Sequence, residues 1–308
     1  MVLNQLKVNK GMLHQYKGDE KLAIKIITDS ACDLPKEITK EHNIEVLPLF
    51  VYLDDKEYLD GETIQYDELY SNMRDGKSYK TAQVATTRFK DAFLRLAEQG
   101  DTCIYIGFSS ALSGTIQSAH IVSQEVLEMY PNFDLHIFDT KCASLGLGLI
   151  VYKAAKMVEE GRTKEEIIRA IELNMNHMEH IVTVDDLEYL LRGGRVSRSS
   201  AFIGGLLNIK PIIHVEEGKL VPIEKIRGRK KSLRRIVEIA GERGVSLEKQ
   251  LIGVVHADCL EEAEKVKEQL QEQFGCKNIL ISVIGCVIGA HVGPGTIALM
   301  FLNEKEDN

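Results

Sequence analysis

Short apolar runs alternate with longer amphipathic stretches along the first 160 residues. We expect buried strands at the apolar runs, which are 23–28, 44–51, 102–107 and 135–138. Helical spacing of apolar residues is found in 87–99, 115–129 and 145–160. A further helix is expected from Leu34, with Asp33 as its N-cap and Pro35 in its first turn. This alternation predicts βαβ units around a mostly parallel sheet.

The pattern changes after Gly161. Two strand-like runs, 211–215 and 220–226, are joined by a short Gly-containing segment and predict a hairpin. The other expected elements are helices at 164–177, 232–243 and 260–273, and strands at 181–184, 251–255 and 278–284. We therefore expect an α+β region with a mixed sheet. The predicted organisation is an N-terminal extension (1–22), an N-terminal α/β domain (23–177) and a C-terminal α+β domain (178–308).

Composition narrows the class of protein. The chain has 308 residues, of which 44% are hydrophobic and 27% charged, as in ordinary globular proteins. It contains 38 Lys and Arg against 46 Asp and Glu, a net charge of −8, which argues against a nucleic-acid binder. The six cysteines are scattered without a C-x-x-C pair, and no apolar stretch is long enough to span a membrane. We expect a cytoplasmic protein with reduced thiols.

A run of hydroxyl residues, Ser109-Ser110-Ala111-Leu112-Ser113-Gly114-Thr115, leads from a predicted strand into a predicted helix. The unpaired N–H groups at a helix N-terminus, together with nearby hydroxyls, suit a carboxylate or a phosphate. The alternative is that Ser113 or Thr115 only caps the helix. The motif leaves both interpretations open.

A second hydroxyl-bearing turn starts at Thr81-Ala82-Gln83, where Thr86 or Thr87 could likewise be a simple N-cap. Ser30 follows the first strand, at the end of the strand where open α/β sheets place ligands.

Near the C-terminus, His291 lies between Gly289 and Gly293, which would let a ligand approach closely. A lone histidine is more often structural, and no H-x-x-x-H or H-E-x-x-H spacing suggests a metal. Basic residues concentrate around Arg195 and Arg227, where they could bind phosphate or an acidic partner, or simply be solvated.

Taken in order, these motifs resemble those of the DegV family of bacterial fatty-acid-binding proteins over about residues 24–302. The matching segments include Ile27-Thr28-Asp29-Ser30, Val46-Leu47-Pro48-Leu49, Thr81-Ala82-Gln83, the hydroxyl run 109–115, Asp139-Thr140, Gly193-Gly194-Arg195-Val196-Ser197, Lys210-Pro211, Arg227-Gly228 and His291-Val292-Gly293-Pro294-Gly295. The common T-S-Q-P turn of the family reads Thr81-Ala82-Gln83-Val84 here, and the common D-S-T reads Asp29-Ser30-Ala31.

The resemblance implies two α/β domains with a long-chain fatty acid buried between them. It places the carboxylate contacts on Thr81, Ser113 and His291. It also implies that the protein is not itself an enzyme but presents the fatty acid to a separate kinase, which makes an acyl phosphate for phospholipid synthesis. Arg195 and Arg227 would meet the phosphate or the kinase.

Further ligand-site candidates are Ser30, Gln83, Ser110 and Gly114. No cofactor, metal or nucleic acid is expected, and a transient contact with a membrane surface is compatible with this role. Apolar runs that could line the tunnel are Phe202-Ile203 with Leu206-Leu207, and Val283-Ile284 with Val287-Ile288.

Two alternatives belong to other functional classes. A phosphotransferase of related fold would use the serine loop for phosphate, but no G-x-x-x-x-G-K-[ST] loop is present. A hydrolase would pair Ser113 with His291, but no G-x-S-x-G motif occurs.

Overall fold

The computed structural model describes residues 23–196 and 208–304. The strands are β1 Ile24–Asp29, β2 Glu45–Leu47, β3 Phe50–Leu53, β4 Lys56–Leu59, β5 Tyr79–Ala82, β6 Thr102–Gly107, β7 Leu135–Asp139, β8 Met178–Thr183, β9 Ile209–Glu216, β10 Lys219–Arg227, β11 Leu251–His256, β12 Asn278–Val283 and β13 Ile297–Leu302. The helices are α1 Lys36–Glu41, α2 Tyr66–Arg74, α3 Thr86–Gln99, α4 Thr115–Met129, α5 Ser144–Glu159, α6 Lys164–His177, α7 Glu188–Arg192, α8 Arg229–Arg243, α9 Leu260–Phe274 and α10 Cys286–Val292.

The N-terminal region is built on a four-stranded parallel sheet in the order β2-β1-β6-β7. All six residues of β6 are buried, as expected for a central parallel strand covered on both faces. Helix α5 contacts β1 and β6, α3 contacts β6, and α4 contacts β7. The predicted βαβ pattern is confirmed.

A small antiparallel sheet, β4-β3-β5, was not predicted. The apolar run 44–51 reads as one strand, but it divides at Pro48-Leu49 into β2 and β3, which belong to different sheets. Proline has no N–H for a ladder, so it favours an interruption there. In the second sheet Val51 pairs with Thr81 and Phe50 with Ala82.

The C-terminal region contains a six-stranded mixed sheet in the order β10-β9-β8-β13-β11-β12. The β11–β12 pair is parallel and the other pairs are antiparallel, which confirms the predicted mixed sheet and the β9–β10 hairpin. One face of this sheet packs against α8 and α9, burying Ile212, Val254 and Leu299. Val182, Ile213 and Met300 belong to a core that is continuous with the N-terminal region.

Several local expectations are wrong. Asp33 does not cap a helix: it adopts a left-handed conformation, and α1 starts after Pro35 without a side-chain cap. Helix α10 and strand β13 were not predicted. For α10 the reason is the high content of glycine around His291, which is typical of a loop rather than of a helix. In the parts of the chain described, no helix combines the length and the apolar character needed to cross a membrane.

Candidate functional site

A cavity of about 340 Å³ lies between the loops of the N-terminal region and the face of the six-stranded sheet that is not covered by α8 and α9. Its volume falls within the range of small-molecule sites. The strands of the six-stranded sheet contribute a largely apolar wall, formed by His180, Val182, Ile213, Val215, Leu220, Val255, Ala298 and Met300. Of the apolar run near 283–288 that could line a tunnel, Ile284, Val287 and Ile288 line this cavity, whereas Val283 lines a separate cleft.

Six of the residues singled out in the sequence line this cavity together: Thr81, Gln83, Ser113, Gly114, Arg195 and His291. Contacts link them into one polar group. The Thr81 hydroxyl bonds to His291, the Arg195 guanidinium reaches the loop that carries Ser113, and Gly114 packs against Gln83. Gln83 and Gly114 are exposed. The polar group therefore lies where the cavity opens to solvent.

Thr81 and His291 are 210 positions apart in sequence, and Thr81 Oγ1 lies 2.7 Å from His291 Nε2. Burial, assisted by the nearby positive charge of Arg195, lowers the pKa of His291 to about 4, so the ring is neutral at pH 7. When Nε2 carries the proton and donates to Thr81, the Thr81 hydroxyl is free to donate its own proton to an anion. In that tautomer, His291 orients a hydroxyl donor.

The Ser113 side chain does not cap α4 in the expected way. The N-cap position of α4 is Gly114, without a side-chain cap. Ser113 Oγ instead accepts a hydrogen bond from the Thr115 N–H at 3.3 Å and lies 2.9 Å from Thr115 Oγ1. Capping of α3 by Thr86 or Thr87 is also wrong, because its N-cap is Ala85. Ser113 therefore stands at the positive end of a 15-residue helix with a hydroxyl on the cavity wall.

The Arg195 guanidinium is half-buried and lines the cavity. It donates to the carbonyl oxygens of Gly193 at 2.6 Å and Leu112 at 3.3 Å. Burial lowers its pKa from the usual value, although arginine stays charged at pH 7. Within 23–196 and 208–304 no carboxylate forms an ion pair with it. Its charge is therefore available to an anionic ligand.

Two glycines make room for this group. A Cβ at Gly193 would lie 2.2 Å from His291 Nδ1, and a Cβ at Gly114 would lie 2.3 Å from Gln83 Oε1. Gln83 Nε2 donates to Ser118 Oγ at 2.6 Å, which anchors the 81–83 turn on α4. Larger residues at either glycine would displace the polar group.

Three predicted residues lie elsewhere. Ser30 Oγ accepts from the Leu49 N–H at 3.1 Å and lines a separate cleft with Asp33 and Asp60. Ser110 is exposed and hydrogen-bonded to Asp139 and Lys141, and Arg227 is exposed at the end of β10. The apolar runs Phe202-Ile203 and Leu206-Leu207 lie outside the described residues.

Asp29 helps to hold the loop that carries Ser113 in place, a role that the sequence did not reveal. Its buried carboxylate accepts hydrogen bonds from the Tyr105 hydroxyl at 2.7 Å and from the Phe108 N–H at 3.0 Å. Burial raises its pKa to about 6, although these hydrogen bonds oppose the shift. Asp29 thereby ties β1 to the start of the loop that carries Ser113.

The contacts give no support to the alternative enzymes. His291 is bonded to Thr81, whereas the Ser113 hydroxyl is bonded to Thr115, so the described site contains no serine–histidine pair of the kind a hydrolase uses. Among the residues the structure covers, no three His, Cys, Asp or Glu side chains are grouped to hold a metal ion.

Fold and site together define a two-region α/β protein whose largely apolar cavity carries a group of hydrogen-bond donors at its opening. A family model described as an uncharacterised protein of the DegV family matches residues 23–304. The chain therefore belongs to the DegV family. It is 43% identical over 285 residues to a DegV domain-containing protein of Clostridium perfringens, covering 92% of this chain and 98% of that protein.

Solved structures show the same fold. A DegV family protein from Thermus thermophilus, described as binding fatty acid, superposes with a TM-score of 0.81 at 30% identity, covering 91% of this chain and 99% of that one. A stearic-acid-binding protein from Eubacterium ventriosum superposes with a TM-score of 0.81 at 27% identity, covering 91% and 99%. The family resemblance and the fold class predicted from the sequence are confirmed.

Proposed function

We propose that this protein binds a long-chain fatty acid, with the carboxylate at Thr81, Ser113 and His291 and the acyl chain between the 23–177 and 178–308 domains. The observation that carries the proposal is the pairing of an apolar cavity wall with hydrogen-bond donors, beside which no acidic side chain of the described residues lines the cavity. Arg195 supplies positive charge beside them. The fatty acids bound by the structural neighbours support it.

The energetics favour such a ligand. Each methylene transferred from water into an apolar site contributes about 0.8 kcal/mol. A buried carboxylate must be hydrogen-bonded, and hydroxyl groups, helix N-terminal N–H groups and a guanidinium can all donate to it. The free energy gained by burying a long acyl chain therefore exceeds the free-energy cost of desolvating one hydrogen-bonded carboxylate.

Native mass spectrometry of the protein purified from a bacterial host tests this proposal. We expect a mass increment of one fatty acid per chain, lost on delipidation and restored by adding stearate. A protein that carries no lipid and takes up no stearate after delipidation would contradict the proposal. Co-purification of a phospholipid instead would show that the head-group contacts are misassigned.

We further propose that the bound carboxylate is presented to a separate ATP-dependent kinase in the cytoplasm. The exposed position of Gln83 and Gly114 supports this, because it leaves the carboxylate end of the cavity near solvent. Arg195 is then placed to meet the phosphate, and Arg227 to contact the kinase from outside the cavity.

Acyl-phosphate formation, trapped as the hydroxamate after adding a fatty acid kinase and ATP, tests this step. We expect Arg195→Met to reduce turnover at least tenfold, and Arg227→Ala to weaken the apparent affinity for the kinase without changing stearate affinity. Unchanged turnover in Arg195→Met, together with an unchanged apparent affinity for the kinase in Arg227→Ala, would contradict the proposed roles of these arginines and leave fatty-acid binding intact.

A further inference from the structure

The six-stranded sheet ends in two edge strands, β10 on one side and β12 on the other, and the two are built differently. An unpaired edge is a template for another strand, and natural proteins block it with proline, charged side chains or a β-bulge. Strand β10 has all three devices. Its register with β9 shifts between Pro222 and Glu224, and charged residues lie at both of its ends, Lys219 and Arg227. The β10 edge is therefore blocked against further pairing.

Strand β12 has none of these devices. Its six residues, Asn-Ile-Leu-Ile-Ser-Val, include no proline, no glycine and no charged side chain, and they pair with β11 in an unbroken register. Within 23–196 and 208–304, no backbone hydrogen bond from outside the sheet reaches any of them. Isoleucine and valine favour extended backbone. The β12 edge is therefore regular, unprotected and suited to accept another strand.

The whole length of β12 also borders open clefts. Asn278, Ile279 and Leu280 line a cleft of about 1040 Å³, and the next three residues, 281–283, line the cleft around Ser30, which is about 580 Å³. None of the six residues lines the cavity proposed for the fatty acid. A partner at this edge would therefore leave that cavity accessible.

The two ends of β12 carry opposite charge. The cleft at the Asn278 end, called here the basic cleft, is lined by four lysines and one acid: Lys153, Lys156, Lys249, Lys277 and Glu304. The cleft at the Val283 end is lined by four acids and one lysine: Asp33, Glu37, Asp60, Glu62 and Lys36. Glu62 pairs with Arg88, whereas Lys277 and Glu37 are exposed and form no ion pair with any described residue. The edge is therefore complementary in charge to itself when one copy is reversed.

We propose that β12 pairs antiparallel with β12 of a second copy of this chain, about a two-fold axis. This arrangement brings the basic cleft of each copy to the Glu37 end of the other, whereas parallel pairing would bring like charges together. The two six-stranded sheets become one sheet with a blocked β10 edge at each outer end, so assembly stops at the dimer. Because one pair of six-residue strands is a small interface, we expect a dissociation constant in the micromolar range.

Sedimentation equilibrium of the full chain over a concentration series tests the proposal. We expect about twice the chain mass at roughly 100 µM and a single chain after extensive dilution. Hydrogen exchange on the same samples locates the contact. The β12 amides that do not bond to β11 should exchange at least about tenfold more slowly in the concentrated sample, and the β10 amides should not change.

Charge reversal tests the antiparallel arrangement. Lys277→Glu and Glu37→Lys should each weaken dimerisation about tenfold, since each turns two symmetry-related attractions into repulsions, and the double variant should recover most of the loss. Lys219→Glu is the matched control, because Lys219 begins the blocked edge strand β10 as Lys277 precedes β12. It should leave the dissociation constant within about twofold of wild type.

A wild-type chain that stays monomeric at roughly 100 µM would overturn the proposal, and so would assemblies larger than a dimer. Equal weakening by Lys277→Glu and Lys219→Glu, or exchange of the β12 amides that is independent of concentration, would show that any dimer uses another surface. A double variant no better than its single variants would overturn the antiparallel arrangement.

Discussion

Two polar regions of this molecule were both candidate ligand sites in the sequence, and their chemistry is opposite. At the cavity opening, Thr81, Ser113 and Arg195 present donors, and no acidic side chain of residues 23–196 and 208–304 lines the cavity beside them. In the cleft around Ser30, called here the acidic cleft, Asp33 and Asp60 present carboxylates. An anion fits the first region, whereas in the second the N–H donors of Gly285 and Cys286 are already occupied by the side chains of Asp33 and Asp60.

The acidic cleft instead lies where the N-terminal and C-terminal regions are hydrogen-bonded to each other. Asp33 Oδ1 accepts from the Gly285 N–H at 2.9 Å, Asp60 Oδ1 accepts from the Cys286 N–H at 3.0 Å, and Ser282 donates to the Asp33 carbonyl at 2.6 Å. Burial raises the pKa of Asp33 to about 8, and the charges of Asp60 and Asp29 add to the shift. The comparison shows that a position at the end of a strand makes a residue a candidate ligand-site residue. The groups around that residue, and their own hydrogen-bond partners, determine whether an anion can bind there.

The largest expected effect separates the two serines of these regions. Ser113→Ala should weaken stearate binding about ten- to a hundredfold, because a hydrogen bond to a charged group is worth roughly 1.5–3 kcal/mol. Ser30→Ala is the control and should leave affinity unchanged. Titration calorimetry measures both, and equal losses in the two variants would remove the distinction between the regions.

An intermediate effect concerns stability and pH. An aspartate whose pKa is raised on folding stabilises the protein most at low pH, and this contribution is lost as the pH rises through the folded-state pKa, here about 8. Asp33→Asn should therefore abolish a decline of roughly 1–2 kcal/mol in the free energy of unfolding between pH 6 and pH 8. Urea unfolding of both proteins at the two pH values measures it.

His291 provides the opposite slope. Its pKa falls on folding to about 4, so its contribution to stability is present above about pH 6.5 and is lost as the pH falls towards 4. His291→Gln should flatten the acid side of the profile and leave the decline between pH 6 and pH 8 in place. A decline that persists in Asp33→Asn would show that Asp33 is not the group that loses its proton between pH 6 and pH 8.

The smallest expected effect tests how tightly the donor region is packed. Gly193→Ala places a methyl group against His291 and should weaken stearate binding roughly five- to tenfold by disturbing its bond to Thr81. The neighbouring Gly194 has a φ of +70° and nothing near its Cβ position. Gly194→Ala should therefore cost about 1 kcal/mol of stability with unchanged affinity. Reversed results would contradict the packing described here.

Periodicity in the sequence predicts the main helices and strands well, because a helix such as α3 buries Phe89, Ala92, Phe93 and Leu96 at helical spacing. It does not show that Pro48-Leu49 ends one sheet and begins another, nor that the glycine-rich stretch before His291 is helical. The division at 177/178 into two domains stays a prediction.

The sequence predicts the candidate site less completely than it predicts the fold. Ser110 and Ser113 are three positions apart in one loop, yet one faces solvent and the other the cavity. Local pattern cannot give that direction, because it depends on the contacts of Asp139 and Thr115. The sequence does not single out His180 as a cavity residue either, because one polar residue in an apolar strand looks like ordinary alternation.

A crystal structure of the protein loaded with stearate tests the central claim most directly. We expect both carboxylate oxygens within hydrogen-bonding distance, about 2.5–3.2 Å, of donors that include Thr81 Oγ1 and Ser113 Oγ, and an acyl chain that runs along Val182 and Ala298. A carboxylate bound away from Thr81 and Ser113, or in the acidic cleft, would contradict the account.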